Sequence, residues 1–394
     1  MTATEPAAPS PVPAAGHAPV PAGAPAGTPA GPPPADPAAL VVSGWAVASP
    51  YGLGRSEFST GLRAAQGALT ELDPAEWPVP YDRAGLIPGF DIREVLGRKG
   101  TRAMDRVTAI AAATVGMLLA DYGQGLDDPE GTGLVLGTSG SVQSIMDFTE
   151  SALTGEKPFH VDPARFPNTV MNCPAGASAI RHTLKGPNVT LSGGATTGLL
   201  TLNYASRLLR AGHASALLAG AVEEFSPQRA RLERVADHGG DAPQPLGEGA
   251  ALFMLERAGH AHAGGRVPLA TVLGLRFRSF ADPARAGAAL ERCVADVLAA
   301  AGAHPEELAL VAPGQPAGPL AKQEAAVLDA LPGPVLRLGP RLLIGDTTAA
   351  AGAFQTAAVL AESDANPALA GRLALVTAVD RDGTAGAGLL RLGV

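Results

Sequence analysis

Cysteine and aromatic side chains are scarce in this sequence, and their scarcity excludes several kinds of protein. Only two cysteines, Cys173 and Cys293, occur among 394 residues. A disulfide framework and a Cys-x-x-Cys metal site are therefore both excluded, and we expect no bound metal. Aromatic residues make up 4% of the chain, whereas hydrophobic residues together make up 46%. A large core must consequently be built mainly from alanine, valine and leucine.

Excess basic charge and long apolar runs are also absent. The formal net charge is −8, which argues against nucleic acid or an anionic membrane as the main partner. No apolar run approaches the roughly 18 residues that a membrane-spanning helix needs. The N-terminal residues contain no basic segment followed by an apolar one, so a secretory signal is not expected. The sequence thus predicts a cytoplasmic protein that binds neither nucleic acid nor membrane.

Residues 1–38 consist almost entirely of alanine, proline and glycine. Such a stretch cannot bury enough apolar surface to offset the entropy lost on ordering. We therefore predict a disordered or polyproline-like tail, and we favour an inert tail over a docking segment.

Strand-like and helical patterns alternate along the rest of the chain. This alternation predicts α/β layers with mostly buried strands. Strands are predicted within residues 39–54, 131–141, 215–225, 247–261 and 308–314, with two more in 373–394, and residues 266–279 resemble the start of a second half. Helices are predicted at 55–67, 101–122, 142–155, 199–213, 284–302 and 321–331.

The stretch GPNVTLSGGATTGLL, residues 186–200, has the pattern of a strand, a tight glycine turn and an apolar helix. Many enzymes place a nucleophile at such a turn. Here the turn offers Ser192, Ala195, Thr196 and Thr197, with no cysteine and no nearby histidine. The sequence therefore predicts the local structure of a nucleophile site without its nucleophile.

An ordered set of motifs extends this observation to most of the chain. VVSGWAVASPYGLG, GLVLGTSGS, FPNTVMNCPAGASAI, GPNVTLSGGATTGLL, GEGAALFMLE and AAAGAFQTAAVLAE occur in this order. Together they resemble the β-ketoacyl-acyl-carrier-protein synthase branch of the thiolase superfamily over residues 40–394. The resemblance implies a thiolase-like five-layered αβαβα fold made of two similar halves, which we place at 39–262 and 263–394. It also implies a dimer whose interface lies near residues 131–200, and no cofactor.

The chemistry of that family depends on a cysteine at a helix N-terminus, two histidines and a lysine. The cysteine motif Ser-Thr-Ala-Cys-Ala-Ser-Gly corresponds here to residues 192–198, so Ala195 stands at the nucleophile position. Pro313 stands at the first histidine, with Glu324 at the family's downstream glutamate. In the Lys-x-x-x-Gly-His motif, Arg341 replaces the lysine and Asp346 the second histidine.

A fifth loss lies in the gating turn Phe-Gly-Phe-Gly-Gly-Thr, which corresponds here to residues 379–384, VDRDGT. A lost nucleophile removes the covalent step, and the loss of its partners leaves no base to compensate. We therefore predict that this chain has no catalytic residues and does not condense acyl groups. Many non-catalytic relatives carry glutamine where Ala195 stands, a residue linked to malonyl decarboxylation, so we predict no decarboxylase either.

The resemblance implies a use for an inactive copy of this fold. In type II polyketide synthases an active ketosynthase pairs with a non-catalytic paralogue, the chain-length factor, and the growing chain lies in a tunnel between them. The expected partners are thus an active ketosynthase in a heterodimer and, through that complex, an acyl carrier protein. Aromatic, polyene and fatty-acid-like products are all compatible, and Ala195 and the scarce aromatics favour a reduced or polyene-type chain.

The helix after GTSGS carries the tunnel-lining positions of chain-length factors. The nearest matches are Ile145 and Phe148, with Met146 or Leu153 as further candidates. Two interpretations remain open. These side chains are ordinary core or interface residues at helical spacing, or Ile145 and Phe148 face the tunnel and set its depth.

Two other functions remain open as well. A divergent acyltransferase or hydrolase would use Thr196, Thr197 or Cys173 as a new nucleophile. A carrier-protein or acyl-chain binding scaffold would act without a ketosynthase partner. Against the first, we expect Cys173 to be a small buried hydrophobe and the two threonines to cap or pack a helix.

The remaining polar candidates are assigned no chemical role. Arg341 and Asp346 either form an ion pair in the vacant pocket or are simply solvated. His182 and His213 are expected on helix or turn surfaces. The His-Ala-His run at 260–262 is expected to be a surface turn without the third ligand that a metal site needs.

Overall fold

The computed structural model describes residues 36–122, 128–236 and 244–393. The predicted tail lies outside the described residues except for 36–38, where Asp36 Oδ1 accepts the N–H of Ala38 at 3.0 Å. The predicted alternation of strands and helices is confirmed across the described part of the chain. None of the described helices is long and apolar enough to cross a membrane.

The strands of five or more residues are largely buried, and β9 (Ala270–Ser279) is the one exception among them. In chain order the described strands are β1 (Leu40–Ser49), β2 (Gly52–Leu53), β3 (Thr70–Glu71), β4 (Arg83–Ala84), β5 (Thr132–Gly137), β6 (Asn188–Leu191), β7 (Ala216–Glu223), β8 (Gly249–Arg257), β9 (Ala270–Ser279), β10 (Leu308–Ala312), β11 (Leu336–Arg337), β12 (Leu373–Asp380) and β13 (Thr384–Leu392). The outer half of β9 is the partly exposed exception.

The helices fall between these strands, and six of the twelve described ones lie at the predicted places. They are α1 (Arg55–Arg63), α2 (Ile92–Leu96), α3 (Arg106–Tyr122), α4 (Val142–Thr154), α5 (Cys173–His182), α6 (Thr197–Arg210), α7 (Pro227–Ala236), α8 (Ala258–Ala263), α9 (Ala286–Ala301), α10 (Gly318–Asp329), α11 (Pro340–Ile344) and α12 (Ala351–Ala365). Short 3₁₀ turns precede several of them, including Gly194–Thr196 and Thr348–Ala350.

The main sheet has eleven strands; ten of them follow one path with a repeated order, and β2 pairs with β1 beside it. One half reads β6-β5-β7-β8-β1 and the other β11-β10-β12-β13-β9, and β1 joins β9 at the centre. In each half the first three strands run parallel and the other two join antiparallel. The sheet topology therefore consists of the same five-stranded unit built twice, as the predicted pair of similar halves requires.

Three apolar clusters divide the molecule into layers. Alternate residues of β7 contact either α3 on the outer face or the cluster around α6 and α12 on the inner face. The same alternation along β12 separates the inner cluster from α9 on its outer face. Because both faces of the sheet are covered, most of its strands are continuously apolar, unlike β9 with Arg276 and Arg278. The two halves of the sheet form two separate layers, so the order of layers is helix, sheet, helix, sheet, helix. This order confirms the thiolase-like fold.

The two central helices begin side by side because neither has a side chain at the crossing point. A Cβ added to Gly198, near the start of α6, would lie 2.3 Å from the backbone nitrogen of Ala353 in α12. Glycine is the residue that permits such close backbone approach. The crossing therefore fixes the start of α6 against the start of α12.

Candidate functional site

The turn between β6 and α6 is held by its own threonines. Thr196 Oγ1 donates to the Gly193 carbonyl at 2.7 Å, and Thr197 Oγ1 donates to Gly194 O at 2.7 Å. Thr197 Oγ1 also accepts the Gly193 N–H at 2.8 Å. Both hydroxyls are buried, so their hydrogen bonds within the turn favour a capping role over a nucleophilic one.

A carboxylate occupies the space beside Ala195. The Ala195 N–H donates to Asp380 Oδ2 at 2.6 Å, and Asp380 Oδ1 accepts the Asp382 N–H at 2.8 Å. Asp380 is the last residue of β12 and is buried. Burial raises the pKa of its carboxyl, and the two backbone donors offset only part of that shift. The position of the expected nucleophile therefore holds a methyl group and, next to it, a carboxyl group.

Sequence reasoning placed Asp380 only within the altered gating turn and missed its contact with Ala195. The available signal was the pair Gly193–Gly194, because consecutive glycines indicate that another group approaches the backbone closely. That signal does not name the approaching group, which here comes from 185 residues further along the chain.

Pro313 lies in a buried loop that Glu324 organises. Glu324 accepts the N–H groups of Gly314 and Gln315, both at 2.8 Å, and the hydroxyl of Thr377 at 2.7 Å. Burial raises the pKa of Glu324. Its oxygens are engaged in holding the loop that follows β10, so we assign it a structural role.

Arg341 and Asp346 form an ion pair. Arg341 Nη2 lies 2.5 Å from Asp346 Oδ2, and both side chains are largely buried. Asp346 Oδ1 also accepts the Thr348 N–H at 2.8 Å. A buried arginine that sequence reasoning missed, Arg229, donates to the Asp346 carbonyl at 3.0 Å and to Thr348 Oγ1 at 2.8 Å. These contacts make the region around Asp346 a rigid structural network.

The four positions matched to catalytic residues lie close together, near the carboxyl ends of the strands. They are Ala195, Pro313, Arg341 and Asp346. β10 and β12 are parallel neighbours, so the loop with Pro313 and the end of β12 lie together. The turn around Ala195 contacts both β12 and the 3₁₀ turn Thr348–Ala350, just after Asp346. The structure thus brings together the positions that the sequence matched to catalytic residues.

Helix α4 places Ile145 and Phe148 away from the main cores. Ser141 caps the helix by accepting the Ser144 N–H at 3.1 Å, and Gly155 follows the last turn as predicted. Ile145 and Met146 are exposed, whereas Phe148 is half-buried with its ring 5.7 Å from that of Phe166. No residue of α4 is fully buried, so its apolar side chains remain available to a partner or a ligand.

Neither cysteine has the surroundings of an activated thiol. Cys173 begins α5, and its Sγ lies 3.5 Å from Asn168 Oδ1. Burial, and then the nearby charge of Asp105, raise the pKa of the Cys173 thiol. Burial raises the pKa of Cys293 to about 11. A raised pKa suppresses the thiolate that a nucleophile needs, which disfavours the alternative acyltransferase.

The histidine predictions require two corrections. His182 is part-buried rather than on a surface, with Nε2 2.8 Å from the Ala112 carbonyl, and burial lowers its pKa. The run 260–262 lies in helix α8 rather than in a turn, and His260 Nδ1 lies 2.5 Å from Glu256 Oε2. Residue 213 is exposed as expected. Among the described residues no group of His, Cys, Asp and Glu could hold a metal ion.

Comparison with known proteins agrees with this geometry. Residues 38–261 match the family described as "Beta-ketoacyl synthase, N-terminal domain". The "3-oxoacyl-[acyl-carrier-protein] synthase 2" of Vibrio cholerae is 28% identical over 258 residues, which cover 60% of this chain and 62% of that protein. The "Granaticin polyketide putative beta-ketoacyl synthase 2" of Streptomyces violaceoruber is 30% identical over 354 residues, 81% of this chain and 82% of that protein.

A solved structure described as "The ishigamide ketosynthase/chain length factor" is 42% identical, with a TM-score of 0.85 over 90% of this chain and 100% of that one. The family match covers more than half of this sequence, so the chain belongs to the β-ketoacyl synthase family. The alignment with the Vibrio protein spans less than two thirds of that protein's length.

Proposed function

We propose that this chain is the non-catalytic, chain-length-factor-like subunit of a heterodimer with an active ketosynthase. The observation that carries the proposal is Ala195. The turn and helix that present a nucleophile are intact, yet the side chain is a methyl group that can neither attack a thioester nor accept an acyl chain. An intact fold with its reactive group removed is suited to a structural partner of an enzyme.

The residues around Ala195 offer no substitute for the missing chemistry. The guanidinium of Arg341 offers only hydrogen-bond donors and no acceptor, so it cannot act as a general base. Asp346 is held by Arg341 and by the Thr348 N–H. Condensation needs both a nucleophile and groups that stabilise the developing oxyanion. The site therefore supports assignment of the reaction to the partner subunit.

One face of the molecule is suited to cover by that partner. We call it the α4–α5 face; it comprises α4, the 3₁₀ turn Pro163–Thr169 and α5, together with the residues joining them. Its exposed apolar side chains are Ile145, Met146, Leu153, Phe159, Phe166, Val170, Met171 and Ile180. The neighbouring strand β6 ends the sheet. Concentrated exposed apolar residues beside a sheet edge mark an interaction surface.

The same face gives a physical basis for control of chain length. In the proposed heterodimer the acyl chain, delivered by an acyl carrier protein, grows in a tunnel at the subunit interface. Side chains of α4 would then lie between the two proteins, where Ile145 and Phe148 would limit the depth of the tunnel. The product is proposed to be a reduced or polyene-type chain.

The decisive experiment co-expresses this chain with a ketosynthase that retains Cys, His and His, and then supplies the acyl carrier protein with its substrates. We expect a 1:1 complex that elongates chains, with every covalent acyl adduct on the ketosynthase in intact-mass spectra. An adduct on this chain would favour the divergent acyltransferase. Binding of carrier protein without any ketosynthase complex would favour the scaffold function.

A further inference from the structure

The turn at residues 194–196 packs closely against the carboxylate of Asp380, at the end of β12. Gly194 has φ +55°, a conformation that glycine adopts most easily. A Cβ at Gly194 would lie 1.9 Å from Asp380 Oδ2 and 2.4 Å from its Cγ. Any side chain at residue 194 therefore requires Asp380 to move. Asp380 in this position thus requires glycine at residue 194.

The location of this carboxylate has an electrostatic reason. Helix α6 runs for 14 residues, and the aligned peptide dipoles give its N-terminal end a partial positive charge. Unpaired N–H groups at such an end bind anionic groups and carbonyl oxygens. Here Asp380 Oδ2 accepts the Ala195 N–H at 2.6 Å, so an internal side chain occupies the place of an external anion.

The carboxylate is also fixed from its other side. Asp380 Oδ1 accepts the Asp382 N–H at 2.8 Å, and the Asp380 carbonyl accepts the Gly383 N–H at 3.2 Å in the β12–β13 hairpin. The side chain therefore cannot leave the helix end without loosening the hairpin. A ligand competing for the Ala195 N–H has to displace a tethered group with a high local concentration.

We propose that Asp380 is a built-in occupant of the N–H site at Ala195, which excludes thioester carbonyls and small carboxylates from it. The site is then blocked sterically and electrostatically, in addition to lacking a nucleophile. Restoring a thiol by Ala195→Cys would consequently not restore a reactive site while Asp380 remains. The blocking contact lies within this chain, so it does not depend on the proposed heterodimer.

The first test uses an introduced thiol as a probe of the charge. Ala195→Cys is compared with Ala195→Cys/Asp380→Asn in the full chain, purified with its partner where one is bound. The alkylation rate with iodoacetamide is followed against pH, and peptide mapping separates the new thiol from Cys173 and Cys293. Asparagine keeps the shape and an acceptor oxygen but removes the negative charge.

We expect the charge removal to lower the pKa of the new thiol by about one to two units, and thus to raise alkylation near neutral pH about 10- to 100-fold. The matched control is Ala195→Cys/Glu291→Gln, which neutralises an exposed carboxyl on α9 and should leave the rate of Ala195→Cys unchanged. Equal thiol pKa values with and without Asp380 would overturn the proposal.

The second test needs no thiol. Gly194→Ala and Asp380→Ala are made singly and together, and the equilibrium constant for unfolding is measured for each. Gly194→Ala is unfavourable in both backgrounds because of the positive φ, but the clash with the carboxylate exists only when Asp380 is present. We expect the loss to be at least tenfold larger with Asp380 than without it. Purely additive effects would show that the two residues are not fitted to each other.

Discussion

Buried carboxylates illustrate what single residues do in this molecule. Glu248 accepts the N–H groups of Ile87 and Phe225, at 2.8 and 3.2 Å, and both Nε and Nη2 of Arg106. Glu324 and Asp380 likewise accept backbone N–H groups from loops. In each case the acceptor oxygens satisfy donors that would otherwise be buried without a partner, at a cost of about 1–3 kcal/mol each. These carboxylates hold loops in place, which gives each of them a structural role.

Glu224 is expected to make stability depend on pH. Burial, reinforced by the negative charge of Asp105, raises its pKa to about 8 from a usual value of 4.5. The folded chain therefore binds one more proton than the unfolded chain between about pH 4.5 and pH 8. Stability is highest below that window and falls as pH rises through it, by on the order of 4 kcal/mol in total.

Glu224→Gln replaces the side chain with a neutral one of the same shape. We expect its stability advantage over the natural chain to grow between pH 5 and pH 8.5, measured as urea unfolding midpoints. Glu150→Gln, on the exposed side of α4, is the control and should give the natural pH profile. Parallel profiles for Glu224→Gln and the natural chain would contradict the assignment of this titration.

At the level of elements, the helices differ in how completely they are covered. Helix α12 has eleven consecutive buried residues from Ala351 to Ala361, as expected for a helix between two sheet halves. Helix α4 has none, although it carries apolar side chains. Burying exposed apolar side chains against a partner contributes favourable binding free energy, at about 25 cal/mol per Å² of apolar surface. In the proposed heterodimer, α4 would supply apolar surface of this kind.

Phe148→Ala tests whether α4 sets the length of the product. Removing the ring deepens any tunnel that it bounds, so we expect products at least one two-carbon unit longer when the partner ketosynthase is present. Product length is measured by mass spectrometry of the released chains. Unchanged lengths would make Phe148 an ordinary packing residue.

Phe166→Ala provides the matched control for that experiment. Phe166 contacts Phe148 with ring centroids 5.7 Å apart, so its removal disturbs the same aromatic pair. We expect product length to respond to Phe148→Ala but not to Phe166→Ala. An identical response to both variants would trace the effect to lost packing rather than to tunnel depth.

On the scale of the whole molecule, the α4–α5 face should decide assembly. Ile180 on α5 is 85% exposed, so Ile180→Asp should leave the stability of the isolated chain nearly unchanged. A carboxylate buried at an interface without a partner costs several kcal/mol. We therefore expect at least a tenfold weaker complex with the ketosynthase, measured by analytical ultracentrifugation or co-purification.

Val267→Asp supplies the comparison, because Val267 is 66% exposed but precedes β9, outside the α4–α5 face. It should bind the partner like the natural chain. Equal binding by both variants, or loss of binding by Val267→Asp alone, would indicate that the interface lies outside the α4–α5 face.

Long periodic segments made most of the architecture predictable. The helix at 286–301 and the paired strands at 373–380 and 384–392 followed from apolar spacing. The region from residue 68 to residue 100 was not predicted, because β3 and β4 have two residues each and α2 has five. Elements that short leave no periodicity to detect. The division at residues 262 and 263 stays a prediction, as do the tunnel positions Ile145 and Phe148.

The sequence by itself determined most of the longer elements, the family resemblance and the residue types at the positions matched to catalytic groups, because each is recorded locally in spacing or in single residues. Only the tertiary structure decided that Asp380 meets Ala195 and that the apolar residues of α4 and α5 remain exposed. The physical reason is that a sequence pattern states which face of an element is apolar, whereas the topology of the sheet states what lies against that face. The turn that begins α6 lacks a nucleophile by sequence, but it is occupied by virtue of the fold.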